Sequence, residues 1–407
     1  MSRLFIFLNI IFVLIANTTS LTEHNLKPKP KPNTFVIPVF KDTRSGLYYT
    51  NVTVGKPPVV ANLVVDVRGS ALWFECDTVG YNSTTSTPVP CGSPGCEQTK
   101  DKCTTCQAYL KSELTFNTQI ATLINDDVML RYMSPSSAYV APKLPVRARI
   151  ACRGYFEGMM NMLPAGTLGI LGLGNSSTSF VSSLLSSYKI PFKVSLCLPS
   201  KPGNNPGSVY IGGSLKRKDL TGLLVSTPLI SNRETKEHGE DYNYFIDVKS
   251  IEVNGKRLSF DHDLLKNKRG HWGRTKIYTL LEAYIYKALV RAFSEKTKKR
   301  KAVYPFTDCF SYKSFGEKSL LGKETPVISL VLGEGAKWDI YGPNSLVKVN
   351  KNVVCLAFQE ADEFESLFPI EIGGYQMEDN LVEFDLEASK FSFTSSLLRH
   401  NTSCSPQ

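Results

Sequence analysis

The chain has 407 residues, with 47 Lys and Arg against 37 Asp and Glu and a net charge of +10 at neutral pH. That length allows two lobes of ordinary size around a large buried core, and the 42% apolar content with 28 Gly and 23 Pro fits a globular, β-rich protein. The basic balance suits acidic partners, such as an anionic polysaccharide or a protein with an acidic cleft. No nucleic-acid-binding motif accompanies it, so nucleic acid is set aside.

Met1–Ser20 reads as a signal peptide. Arg3 supplies the positive start, Leu4–Ile15 the apolar core and Ala16–Ser20 the small-residue exit. The apolar core is too short to span a bilayer and no other segment qualifies, so a secreted, extracellular protein with no membrane partner is expected. Ten cysteines suit an oxidising compartment. Sequons at Asn51, Asn82, Asn175 and Asn401 are compatible with the same route.

Residues 21–33 form a basic arm around Lys27-Pro-Lys-Pro-Lys-Pro32, extended by its prolines. From Thr34 short β-type runs follow at Phe35–Phe40, Leu47–Val54, Val59–Val65 and Ala71–Phe74, punctuated by Gly, Pro and Asn. Cys76, Cys91, Cys96, Cys103 and Cys106 crowd one loop-rich segment. Cys103-Thr-Thr-Cys106 has zinc-ribbon spacing, but no second such pair and no nearby His completes a metal site. A disulfide-stapled loop is expected, with Cys152 closing the odd count. The pairing is not readable from sequence, and Cys197, Cys309, Cys355 and Cys404 complete the set. No metal or cofactor is expected.

The third run ends on Asp66. The stretch Asn62-Leu-Val-Val-Asp66-Val-Arg-Gly-Ser70-Ala-Leu-Trp73 delivers one carboxylate to a tight turn between two apolar strands. An aspartic protease presents a catalytic Asp in this way, in the lettering Asp-Thr-Gly-Ser. Here Val67 replaces the hydroxyl that locks the turn, and bulky Arg68 holds the permissive Gly position. Gly169-Ile-Leu-Gly172-Leu-Gly174 lacks the register and the Lys of a phosphate loop. It reads instead as a strand threading behind an active-site turn. Pro369-Ile-Glu-Ile-Gly373-Gly374 is its counterpart in the second half, which points to a duplicated β protein.

Phe180–Tyr188 reads as a short helix leading to a strand at Lys193–Leu198, and 231–241 as a polar surface loop. Tyr244–Val253 reads as a strand closed by an Asn254-Gly255 hairpin turn. Leu280–Glu295 has the clearest helical periodicity, followed by the cationic run Lys296–Lys301. The four units expected are 1–20, 21–33, 34–230 and 231–404.

Aspartic proteolysis needs two carboxylates that share one proton around a water. The second should precede the long helix, yet 264–281 contains no Asp or Glu and carries basic residues and His271. The flap stretch Glu113–Leu123 lacks a Tyr-Gly turn and offers Phe116-Asn117-Thr118. Asp66 is therefore expected to be a structural relic and not a catalyst.

From about Phe35 to Cys404 the chain resembles the plant group of catalytically silent aspartic-protease homologues: xylanase inhibitors, xyloglucan-endoglucanase inhibitors, extracellular dermal glycoproteins and basic 7S globulins. The likeness lies in Val65–Trp73, Leu168–Gly174, Tyr244–Gly255, Trp338–Ser345 and Ile372–Asp385. It implies an all-β, pepsin-like bilobal fold with many disulfides, ten cysteines here against the twelve common in the group. It also implies a function, the inhibition of a microbial cell-wall glycoside hydrolase by C-terminal-lobe loops that enter its acidic cleft. The group places one contact four positions before the last Cys, which is His400 here, with Arg399 beside it. The second falls in the loop Phe310–Thr325, where an Arg of the xyloglucanase-inhibitor branch maps onto Leu320, between Lys318 and Lys323. Asn401, next to His400, would carry a glycan at this same contact. A wall-binding or seed storage globulin is the alternative implied, with anionic wall polysaccharide as its partner. An active endopeptidase is the third.

Overall fold

The computed structural model describes residues 32–96, 103–112, 117–134, 139–154, 163–175, 179–230, 244–261, 263–266, 270–272, 277–316, 320–362 and 368–405. The expected signal peptide, most of the basic arm, the polar stretch 231–241 and Lys318 lie outside them.

Alternation of apolar and polar residues sets the strands. In Tyr48–Val54 every second residue is buried, so one face packs inward and the other meets solvent. Six antiparallel strands join the two halves. Thr34–Lys41 pairs with Gly207–Ile211, which pairs with Lys193–Cys197. Lys193–Cys197 then pairs with Leu381–Asp385, from the far end of the chain, in the register Val194↔Phe384. Lys390–Phe393 and Val225–Ile230 complete the order. The aromatic residues of this sheet organise the core. Tyr244 stacks on Phe384 at 4.3 Å, Trp338 packs on Phe391 and Phe393, and all five are essentially buried. Each such ring contributes about 1.5–3 kcal/mol by leaving water.

The two halves repeat one motif. In the first, Val59–Asp66 runs parallel to Gly169–Gly172, which lies antiparallel to Leu72–Glu75, which runs parallel to Ala141–Arg153. In the second, Gly270–Trp272 runs parallel to Ile370–Ile372, which lies antiparallel to Thr279–Leu281, which runs parallel to Phe358–Glu360. The duplication expected from the two Gly-terminated strands is therefore a duplication of sheet topology, and it is the bilobal pepsin-like fold. At the crossing the backbones touch. A Cβ on Gly172 would meet the Gly69 carbonyl oxygen at 2.3 Å, so neither turn accepts a larger residue there.

Two boundaries differ from expectation. The long helix starts at Ala283, not Leu280. Leu280 and Leu281 belong to a strand paired with Glu371 and Ile370, and the Glu282 carboxylate caps the helix by accepting from Tyr284 N–H and Ile285 N–H. Strand pairing overrides the helical spacing of those leucines. The strand expected over Tyr244–Val253 is two strands, Phe245–Ile246 and Val248–Val253, which pair with different partners on either side of Asp247. The hairpin turn at Asn254-Gly255 forms with both residues at positive φ, 51° and 75°. Phe180–Tyr188 is helical, with Ser179 as its N-cap.

Candidate functional site

Asp66 is the last residue of its strand and is buried, and one of its oxygens accepts the Arg68 N–H at 2.9 Å. Its own carbonyl accepts Leu173 N–H at 2.8 Å, which locks the turn to the threading strand. In the first half Val65 stands opposite Leu171 and is followed by Asp66. In the second half Trp272 stands opposite Ile372 and is followed in sequence by Gly273, which lies outside the described residues.

The same alignment of halves equates Glu371 with Ile170. Glu371 is thus a buried acid where the first half holds an aliphatic residue. Arg68, from the carboxylate turn of the first half, reaches it at 3.8 Å. The residue that replaces the turn glycine therefore supplies a cation to the second half. Sequence reasoning missed this pair. The available signal was an acid inside the otherwise apolar run Pro369-Ile-Glu-Ile-Gly373.

A second junction lies nearby. Tyr48 O–H donates to Glu378 at 2.5 Å, and Lys41 forms an ion pair with the same carboxylate. Burial raises the Glu378 carboxyl to about 7, outweighing the opposing pull of Lys41 and the Tyr48 donor, and the Asp379 charge adds to the rise. Burial and Glu378 together push the Tyr48 phenol well up. Lys41 also sits over the Tyr375 ring at 5.3 Å.

The turn after Glu378 anchors the C-terminal tail. The Asp379 carbonyl accepts Leu397 N–H at 2.7 Å and its carboxylate accepts Cys404 N–H at 2.9 Å. The Asn380 side chain accepts Ser396 N–H at 2.8 Å, and Cys197 bonds covalently to Cys404. Between these anchors Leu397–His400 forms one 3-10 turn that leaves Arg399 and His400 exposed. The Arg399 guanidinium lies over the Tyr341 ring at 4.4 Å. Next to Tyr341, Gly342 packs against the Leu320 carbonyl so closely that a Cβ would meet it at 2.1 Å. Arg399 and the loop bearing Leu320, remote in sequence, thus meet at Tyr341-Gly342. Lys323 lines a separate groove beside the helix Ala283–Ser294.

The ten cysteines form Cys76–Cys152, Cys91–Cys103, Cys96–Cys106, Cys197–Cys404 and Cys309–Cys355. Cys103 and Cys106 go to different partners, as a stapled loop and not a metal ribbon requires. Asn51, Asn82, Asn175 and Asn401 are all exposed.

Comparison with known proteins supports the geometry. The family model described as xylanase inhibitor N-terminal matches residues 48–213, and that described as xylanase inhibitor C-terminal matches 243–395. A protein named probable aspartic proteinase GIP2 from Nicotiana benthamiana is 30% identical, over 96% of this chain and 94% of its own length. Gamma conglutin 1 from Prunus dulcis is 30% identical over 96% of this chain and 93% of its own. Among solved structures, edgp superposes with a TM-score of 0.80 at 30% identity, covering 93% of this chain and 98% of that one. Conglutin gamma from lupine seeds, a basic 7S globulin, gives 0.77 at 26% identity, covering 92% and 98%. The relatives thus carry globulin names as well as a proteinase name. With both halves matched and the ψ-shaped strand crossings duplicated, the chain belongs to the xylanase-inhibitor family of aspartic-protease-like proteins.

Proposed function

We propose that this protein is a secreted, non-proteolytic inhibitor of a cell-wall-degrading glycoside hydrolase, a xylanase or a xyloglucan endoglucanase. The reading rests above all on the meeting of Arg399 and the Leu320 loop at Tyr341-Gly342. A glycosidase centre is a pair of carboxylates in a cleft. An exposed cation on a turn tied down by a disulfide and by the Asp379 and Asn380 bonds loses little entropy on entering such a cleft. Arg399, with His400 beside it, takes the role of the inserted cation, and Leu320 with Lys318 and Lys323 forms the flanking contact. Catalysis by this chain is not part of the proposal, because the sequence from 264 to 281 offers Asp66 no second carboxylate and Arg68 occupies the turn.

The test is inhibition of a panel of xylanases and xyloglucan endoglucanases by the secreted protein, before and after deglycosylation. Inhibition weakened by about 10- to 100-fold in Arg399→Ala/His400→Ala is the expected result. Inhibition that appears only after deglycosylation would mean that a glycan on Asn401 covers the site. Lack of binding in either form would overturn the reading and favour a wall-binding or storage globulin, for which the globulin names among the relatives speak.

A further inference from the structure

A groove of about 650 Å³ runs along the helix Ala283–Ser294, within the ~300–1,000 Å³ typical of ligand sites. Its floor is apolar, formed at the surface by Ala288 and Ala292 with buried Leu258 and Phe293 beneath them. Its rim is basic. Lys256, Arg257, Arg291, Lys296 and Lys323 face it, against the carboxylates of Glu295 and Glu324. All five cations are exposed, and Lys256 lies 3.9 Å from Glu295. The helix C-terminus accounts for part of this charge, since cations there oppose the macrodipole. It does not account for Lys256 and Arg257, which lie on a hairpin, or for Lys323, which lies on a loop. Three independent segments bring like charges to one concavity at an electrostatic cost. From Lys296 the charge continues along the exposed run Lys298, Lys299, Arg300 and Lys301.

We propose that this groove, with the basic track leading out of it, binds a linear oligosaccharide of uronic acids. An apolar floor fits the C–H faces of sugar rings, and the rim places guanidinium and ammonium groups where carboxylates along such a chain would lie. A nucleic acid would also meet the charge. However, among the described lining residues the aromatic one, Phe293, is buried beneath the floor and offers no ring face for a base to stack on. The groove is distinct from the Arg399 turn and shares only Lys323 with the proposed hydrolase contact, so with Lys323 kept intact this binding and hydrolase inhibition are separable.

The experiment is calorimetric titration of the secreted protein with a demethylated oligogalacturonate of about ten sugars in low salt. The comparison variant is Lys256→Glu/Arg291→Glu/Lys296→Glu. A control carries Lys56→Glu/Lys143→Glu/Lys201→Glu, an equal change of charge on exposed lysines of the first half. The expected result is binding by the wild type that weakens at least ~10-fold in the groove variant and by less than ~3-fold in the control. The fully methyl-esterified oligomer should not bind, and hydrolase inhibition should persist in the groove variant. Equal losses in both variants would mean diffuse attraction to a basic surface and would overturn the site. So would tighter binding of single-stranded DNA of matched charge, or no binding of the oligogalacturonate by the wild type. Circular dichroism and the thermal midpoint of each variant separate misfolding from loss of contact.

Discussion

Arg68 and Glu371 stand 3.8 Å apart, one on the carboxylate turn of the first half and the other on the threading strand of the second, with Glu371 almost fully buried. The Arg that stands in the carboxylate turn thus also links the halves electrostatically. Arg68 is one partner of that buried acid, and removing a cation beside a buried carboxylate costs up to about 3–5 kcal/mol. Arg68→Met should therefore lower the urea midpoint sharply. Because Ile170 fills the matching position of the first half, Arg68→Met combined with Glu371→Ile should recover much of the loss. A double-mutant cycle read by urea denaturation checks this, and purely additive costs would show that the pair is not coupled.

The Glu378 junction makes stability depend on pH. Its carboxyl titrates at about 7 in the fold against an ordinary value of 4.5. Between those values the native state holds a proton that the unfolded chain has released, so stability falls as pH rises through that window. The shift corresponds to on the order of 3 kcal/mol. Lys41 and Tyr48 face the group from the first half, and Asp379 and Tyr375 from the second. Glu378→Gln should flatten the difference between urea midpoints at pH 5 and pH 7.5. An unchanged difference would place the pH dependence elsewhere.

The Gln376 side chain is fully committed. Its oxygen accepts Thr279 N–H at 3.0 Å and Thr279 O–H at 2.7 Å, and its amide donates to the Asn344 and Ala357 carbonyls at 3.0 and 2.7 Å. All of these bonds are buried, so removal strands several polar groups at about 1–3 kcal/mol each. Gln376→Ala should cost at least ~3 kcal/mol, measured by thermal denaturation. Gln376→Glu should also destabilise, because a carboxylate cannot donate to the two carbonyls.

The Cys197–Cys404 bridge closes a separation of 207 residues. In the chain-entropy account a loop of that size is worth about 5 kcal/mol. Cys197→Ser/Cys404→Ser should lower stability by several kcal/mol, and by freeing the tail it should weaken hydrolase inhibition beyond the loss seen in Arg399→Ala alone. Limited proteolysis after residue 396 gives an independent readout of tail release.

Much of this molecule is written locally. The strand runs from Phe35 to Phe74, the αL turn at Asn254-Gly255 and the helix Phe180–Tyr188 follow from alternation, turn chemistry and capping, and none needs a distant partner. The same holds for the degraded turn after Asp66 and for the lack of an acid between 264 and 281, which are facts of composition. The start of the long helix is not legible in the sequence because Leu280 and Leu281 satisfy helical spacing and strand pairing equally well, and only Glu371 and Ile370 across the sheet decide between them.

What the tertiary structure alone decided are the relationships that span hundreds of residues. The parallel crossings choose which acid Arg68 meets, the six-stranded sheet carries the Glu378 turn to Lys41 and Tyr48, and the disulfide pairing fixes the tail beside Tyr341. Sequence periodicity reports which face of a strand is buried. It carries no record of which strand lies alongside, because that is set by the packing of the whole core.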